Sequence, residues 1–126
     1  MIITVQCGAQ TTNSGSWTAM TGLTLVLPQG VGETALVILN VPNPYATGND
    51  YPGGNFGIQV GSTVQSAYAS FTYNEQVPPS TGRMPTTLTV AVPLSSSGTT
   101  TVTAVWSGVR SSTVHIDSPA VLSAII

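Results

Sequence analysis

"TTLTVAV", Thr86–Val92, settles into strict alternation from its second residue. In an extended chain, Leu88, Val90 and Val92 share one side, and Thr87, Thr89 and Ala91 share the other. "TVTAVW" (101–106) repeats the pattern, setting Val102, Ala104 and Trp106 against Thr101, Thr103 and Val105. One face is apolar and packs inward, and the other is largely hydroxylated. Working outward, further β-branched or aromatic runs predict strands over 2–6, 17–27, 34–41, 56–60, 63–73, 99–107, 112–116 and 120–126. Turn signals separate them: "TNSGS", "PQGVGE", "VPNPYATGNDYPGGN", "VPPSTGRMP" and "SSSG". No segment shows the 3.6-residue period of an amphipathic helix with capping residues. The chain therefore reads as all-β, a sandwich or jelly roll of about nine to ten antiparallel strands. With no repeat and no linker, 1–126 is one domain.

Composition narrows the chemistry. Charged residues make up 5% of the chain, lysine is absent, and the only cations are Arg83 and Arg110. Fourteen Ser and nineteen Thr supply most of the polar surface. Disorder is rejected, because 41% of residues are apolar and they fall in short β-forming runs. Mean hydropathy is +0.30, yet no apolar run reaches the roughly 18 residues of a spanning helix. Runs such as "ALVIL" (35–39) also break the alternation that a transmembrane barrel needs. With two cations and a pI near 4.7, binding to a phosphate backbone is disfavoured.

Cys7 has no partner for an internal disulfide and reads as a small buried residue. "MIITVQCGAQ" shows no basic segment followed by an apolar one, so no secretory signal is visible, although non-classical export would leave no mark. The apolar end "AVLSAII" predicts either a central strand or further protein beyond it.

His115 and Asp117 lie two apart, on one face of an extended segment, and form half of a hydrolytic constellation. No G-x-S-x-G elbow accompanies them, and the four acids Glu33, Asp50, Glu75 and Asp117 show no glycosidase pairing. One His, one Cys and no D-x-D cluster do not make a standard zinc or calcium site. No cofactor is expected. The arginines say more. Arg83 sits in "STGR" and Arg110 in "SGVRSS", both among hydroxyls. Each either pairs with a local acid, Asp117 or Glu75, and pins a loop, or presents its planar fork of donors to a ligand. A neutral polyhydroxylated ligand suits such a surface, with Tyr45, Tyr51 and Tyr73 available to cover a sugar ring.

"VILNVPNPYATGNDYPG", "FTYNEQVPPSTGRMP" and "VRSSTVHIDSPAVLSAI" carry a family resemblance. Over residues 35–126 the chain resembles the TNF-like, fucose-binding N-terminal domain of the bacterial superlectins first known from Burkholderia. Residues 1–34 join it by continuity. The resemblance implies a TNF-like jelly roll, a homotrimer, and calcium-independent binding of fucosylated glycans in pockets between protomers. With no elbow and no paired carboxylates, no catalysis is expected. By matching, Tyr45, Thr72, Tyr73, Ser80, Thr81, Arg83 and Arg110 fall at pocket positions. His115 and Asp117 fall where they would orient an arginine or meet the next sugar. Asn55 stands where the family carries a pocket tyrosine, and Pro79 where it carries a glutamate, so sugar preference is expected to differ. The alternative function is a structural or interaction jelly roll without sugar affinity.

Overall fold

The structure is a computed structural model describing residues 1–126. It is all-β, with twelve strands: β1 (Ile2–Gln6), β2 (Gln10–Thr12), β3 (Thr18–Leu27), β4 (Thr34–Val41), β5 (Pro44–Thr47), β6 (Gly53–Val60), β7 (Thr63–Val64), β8 (Ala69–Thr72), β9 (Thr86–Pro93), β10 (Thr100–Val109), β11 (Thr113–Ile116) and β12 (Val121–Ile125). The count exceeds the expected nine to ten for identifiable reasons. The run 63–73 divides into β7 and β8, which both pair with β6. β2 runs into the turn signal "TNSGS" and β5 lies inside "VPNPYATGNDYPGGN", so turn signals mask both. β5 opens on Pro44, a position that tolerates a missing N–H.

All pairings are antiparallel. One sheet runs β1-β12-β4-β9. A second runs β3-β10-β6-β7, with β8 also on β6. A third runs β2-β11-β5. The first two enclose the core. Ala35, Val37, Leu39 and Val41 of β4 and Leu122 and Ala124 of β12 point into it from one side. Leu25 and Leu27 of β3, Phe56 and Ile58 of β6, and Val102, Ala104 and Trp106 of β10 meet them from the other. Each fully buried aliphatic or aromatic side chain contributes about 1.5–3 kcal/mol over leaving it in water. The alternation in 86–92 holds, since Val92 is buried and Leu88 and Val90 pack against the core. β12 lies between β1 and β4, so the apolar end of the chain is a central strand. No helix is long and apolar enough to cross a membrane.

The twelve strands contain no Asp, Glu, Lys or Arg; all six charged side chains lie in connections. The register shows where those connections fall. Val41 pairs with Thr86, Val121 with Asn40, and Gly53 with both Val109 and Thr72. These pairs mark one common end of the sandwich. The segments carrying Asp50, Glu75, Arg83, Arg110 and Asp117 all leave from it. Glu33 alone lies at the opposite end, beside the Thr34–Pro93 pair. The third sheet continues from the charged end. Its residues Ala46, Val114 and Ile116 are buried, while Tyr45, Thr47 and His115 alternate to the other face.

Candidate functional site

Two arginine clusters occupy the charged end. The first is built on the third sheet. Tyr45 of β5 and His115 of β11 are cross-strand partners. Their rings stack with centroids 4.5 Å apart and planes 6° from parallel. The Arg83 guanidinium lies 3.9 Å from the centre of the same tyrosine ring, a cation–π contact. Arg83 Nη2 donates to Asp117 Oδ2, and Nη1 donates weakly to the Thr81 carbonyl at 3.4 Å. Of the five guanidinium N–H donors, these bonds use two. The Arg83 and Asp117 side chains are 41% and 49% exposed. Their pairing raises the arginine pKa and lowers that of Asp117. Of the two acids considered for loop pinning, Asp117 is the one engaged, and it lies one residue beyond β11.

Tyr73 holds the turn that presents Arg83. Its hydroxyl donates to the Gly82 carbonyl at 2.6 Å and accepts from the Ala46 amide at 3.4 Å. Burial raises its pKa, so the phenol keeps the proton it donates. The Met84 amide adds a 2.8 Å bond to the Pro44 carbonyl. Thr81 is half-buried beside Arg83, and Ser80 is exposed.

His115 Nε2 bonds Thr47 Oγ1 at 3.0 Å, while the Asp117 carboxylate serves Arg83. The pair expected from "VHID" is thus divided between two partners. Burial first, and the Arg83 charge second, hold the His115 pKa below its ordinary 6.5. A depressed histidine favours the fold while neutral, and that contribution falls as pH drops through and below 6.5. The urea midpoint should therefore decline between pH 7 and pH 5, and the decline should shrink in His115→Gln. Asp117 stays ionised over that window because its pKa is lowered from 3.8. An equal decline in the variant would assign the effect to another group.

The second cluster surrounds Arg110. Its Nε donates to the Asp50 carbonyl at 2.8 Å and its Nη2 to the Tyr51 carbonyl. This arginine braces a loop through main-chain oxygens, not through an acid. Arg110 and Ser111 have φ of +47° and +62° in the turn that follows β10. An open cavity of about 420 Å³ lies here, lined by Asp50, Tyr51, Thr72, Tyr73, Asn74 and Arg110. Tyr73 thus belongs to both clusters. Asn55 lies on the outer face of β6, outside the cavity lining, where its Nδ2 donates to Ser107 Oγ at 3.1 Å.

The family model of the Bc2l-C N-terminal domain matches residues 5–125. The chain belongs to this family. The match includes most of residues 1–34, which the quoted motifs left to continuity. No curated protein matches the chain. The Bc2l-C N-terminal domain is a lectin-type module, not an enzyme family. In this member, no three His, Cys, Asp or Glu side chains gather as metal ligands.

Sequence reasoning missed three residues of these two clusters. Asp50 and Asn74 line the cavity, and Thr47 fixes His115. The Tyr51 loop reaches the Asn74 segment through the Tyr51 amide, which donates to the Gln76 carbonyl at 3.1 Å. No local pattern announces that loop-to-loop bond. Thr47 could have been found by continuing the alternation from Tyr45 once 44–47 was read as a strand.

Proposed function

We propose that the protein is a lectin recognising fucosylated glycans, without calcium, in pockets between the protomers of a TNF-like jelly-roll homotrimer. The observation that carries this reading is the presentation of Arg83. A planar fork is held by Asp117 against Tyr45, half-exposed, with Ser80 and Thr81 beside it, in a chain of this family. Vicinal sugar hydroxyls match such a fork, and its fixed position lowers the ordering cost of binding. The cavity at Thr72, Tyr73 and Arg110 supplies further hydroxyls and an aromatic wall. Both clusters would contribute to each pocket. Asn55, shorter than the tyrosine the resemblance puts at its position and bonded to Ser107, would leave room for a differently substituted sugar.

The outward face of the four-stranded sheet supports self-association. Across it run Ile2, Ile125, Leu36 and Ala91, then Thr4, Ser123, Ile38 and Thr89, then Gln6, Val121, Asn40 and Thr87. Ile2 is 70% exposed, and no charge interrupts these rows. Such a face can be covered by another protomer without desolvating ions. Three weak sites on one rigid assembly would gain by avidity on a dense glycan surface.

The test is a glycan array run in EDTA, with the mass measured by light scattering. Binding confined to fucosylated structures, by a species of three protomers, is the expected result. A blank array at high protein concentration would favour an interaction module without sugar affinity.

A further inference from the structure

An aromatic corner lies on the outer face of the five-stranded sheet, outside both arginine clusters. Trp17 immediately precedes β3 and packs over β6. A Cβ at Gly57 would stand 3.2 Å from indole Cη2 and Cζ3 and 3.3 Å from Val105 Cγ2. Glycine there lets the indole approach the strand closely. Val105 points away from the core, yet it is 2% exposed, because the indole shares its cover. Tyr68 stands edge-on to Trp17, with centroids 5.5 Å apart and planes at 76°. Trp17 is half-buried, and Tyr68 is 54% exposed.

The corner is joined to the cavity by a polar track. Ser70 and Thr72 of β8 are exposed on one side, while Phe71 between them turns into the core. Tyr68 continues the same alternation. Thr72 lines the cavity. Ser70 pairs across the ladder with Asn55. From Thr72 back to Tyr68, one residue before β8, an extended chain spans about 13 Å. No charged residue lies in any strand of this sheet.

We infer that the Trp17–Tyr68 corner takes a second, neutral pyranose of a glycan whose fucose occupies the pocket that includes the Arg110 cavity. This rests on the lectin reading above. The chemistry of the corner selects its occupant. A charged ligand would meet no counter-charge on this sheet. A wholly apolar one would strip water from Ser70 and Asn55 without replacing their hydrogen bonds. A pyranose has an apolar C–H face rimmed by hydroxyls, so it covers the rings and satisfies the track together.

The experiment follows the two indole N–H signals of the 15N-labelled protein. Trp106, 1% exposed, is the internal reference. The probes are methyl α-L-fucoside and a neutral fucosylated tetrasaccharide. The tetrasaccharide should shift the Trp17 signal, and methyl fucoside should not. Tyr68→Ala should cut the affinity advantage of the tetrasaccharide over methyl fucoside by about fivefold, and Tyr68→Phe should retain it. An unmoved Trp17 signal, or an unchanged advantage in Tyr68→Ala, overturns the inference. A changed molecular mass in Tyr68→Ala makes the corner a protomer contact and also overturns it. If methyl fucoside binding is lost in Arg83→Ala while Tyr68→Ala keeps the full advantage, the lectin site stands and only the corner falls. If neither sugar binds the wild type, both fall.

Discussion

Arg83→Ala is expected to weaken binding of a fucosylated glycan by about 100-fold, through loss of charge-assisted hydrogen bonds, while leaving the assembly intact. Two features make this substitution selective. Arg83 lies in a connection outside every strand, and its ion pair with Asp117 is roughly half-exposed, so removing it strands no buried charge. The Tyr73–Gly82 and Met84–Pro44 bonds keep the turn in place without the guanidinium. Arg83→Lys should recover little, because an ammonium cannot reproduce the planar fork over Tyr45. Isothermal titration beside light scattering measures both outcomes. Wild-type affinity in Arg83→Ala, with the mass unchanged, would remove Arg83 from the site and with it the main support for the lectin reading.

Gly108→Ala is expected to destabilise the fold by about 3 kcal/mol, lowering Tm by roughly 10 °C. A Cβ there would stand 2.1 Å from the Ser112 carbonyl oxygen and 3.0 Å from its carbon. Both are main-chain atoms, so no rotamer change relieves the clash. The turn it would displace is heavily tied. Gly108 N donates to the Ser14 carbonyl at 2.7 Å, and Ser112 N donates to the Val109 carbonyl at 2.9 Å. Buried Ser112 accepts through Oγ from the Gly53 amide at 3.1 Å. Arg110 leaves from this turn, so the cavity should be distorted along with the fold. Gly98→Ala, where an added Cβ meets nothing within 4 Å, is the control and should stay within about 0.5 kcal/mol of wild type. Urea and thermal unfolding of the two variants decide the matter. A Gly108→Ala midpoint equal to that of Gly98→Ala would show that the turn yields freely.

The destabilising effect at Gly108 illustrates what a one-dimensional reading lacks. "WSGVRSS" shows hydroxyls around an arginine. It does not show that the chain folds back within four residues so tightly that only glycine fits. The same holds for Arg110. As a sequence feature it offers a ligand fork or a loop pin, and the fold makes it brace the Asp50–Tyr51 carbonyls while also lining the cavity. Arg83 likewise combines the two readings, being pinned by Asp117 with donors to spare.

Alternation by itself determined the all-β class, the inward faces of 86–92 and 101–106, and the burial of Trp106. These are consequences of side-chain direction along an extended chain, and they require no knowledge of neighbours. The scarcity of charge was equally plain, and a Pro- and Gly-rich stretch marked where Arg83 sits. Only the tertiary structure decided that five of the six charges share one end, that β5 and β11 stack Tyr45 on His115, and that Tyr73 serves both clusters. Those facts depend on which strands pair and in what register. Register is fixed by core packing summed over the whole domain, and no short segment carries that information.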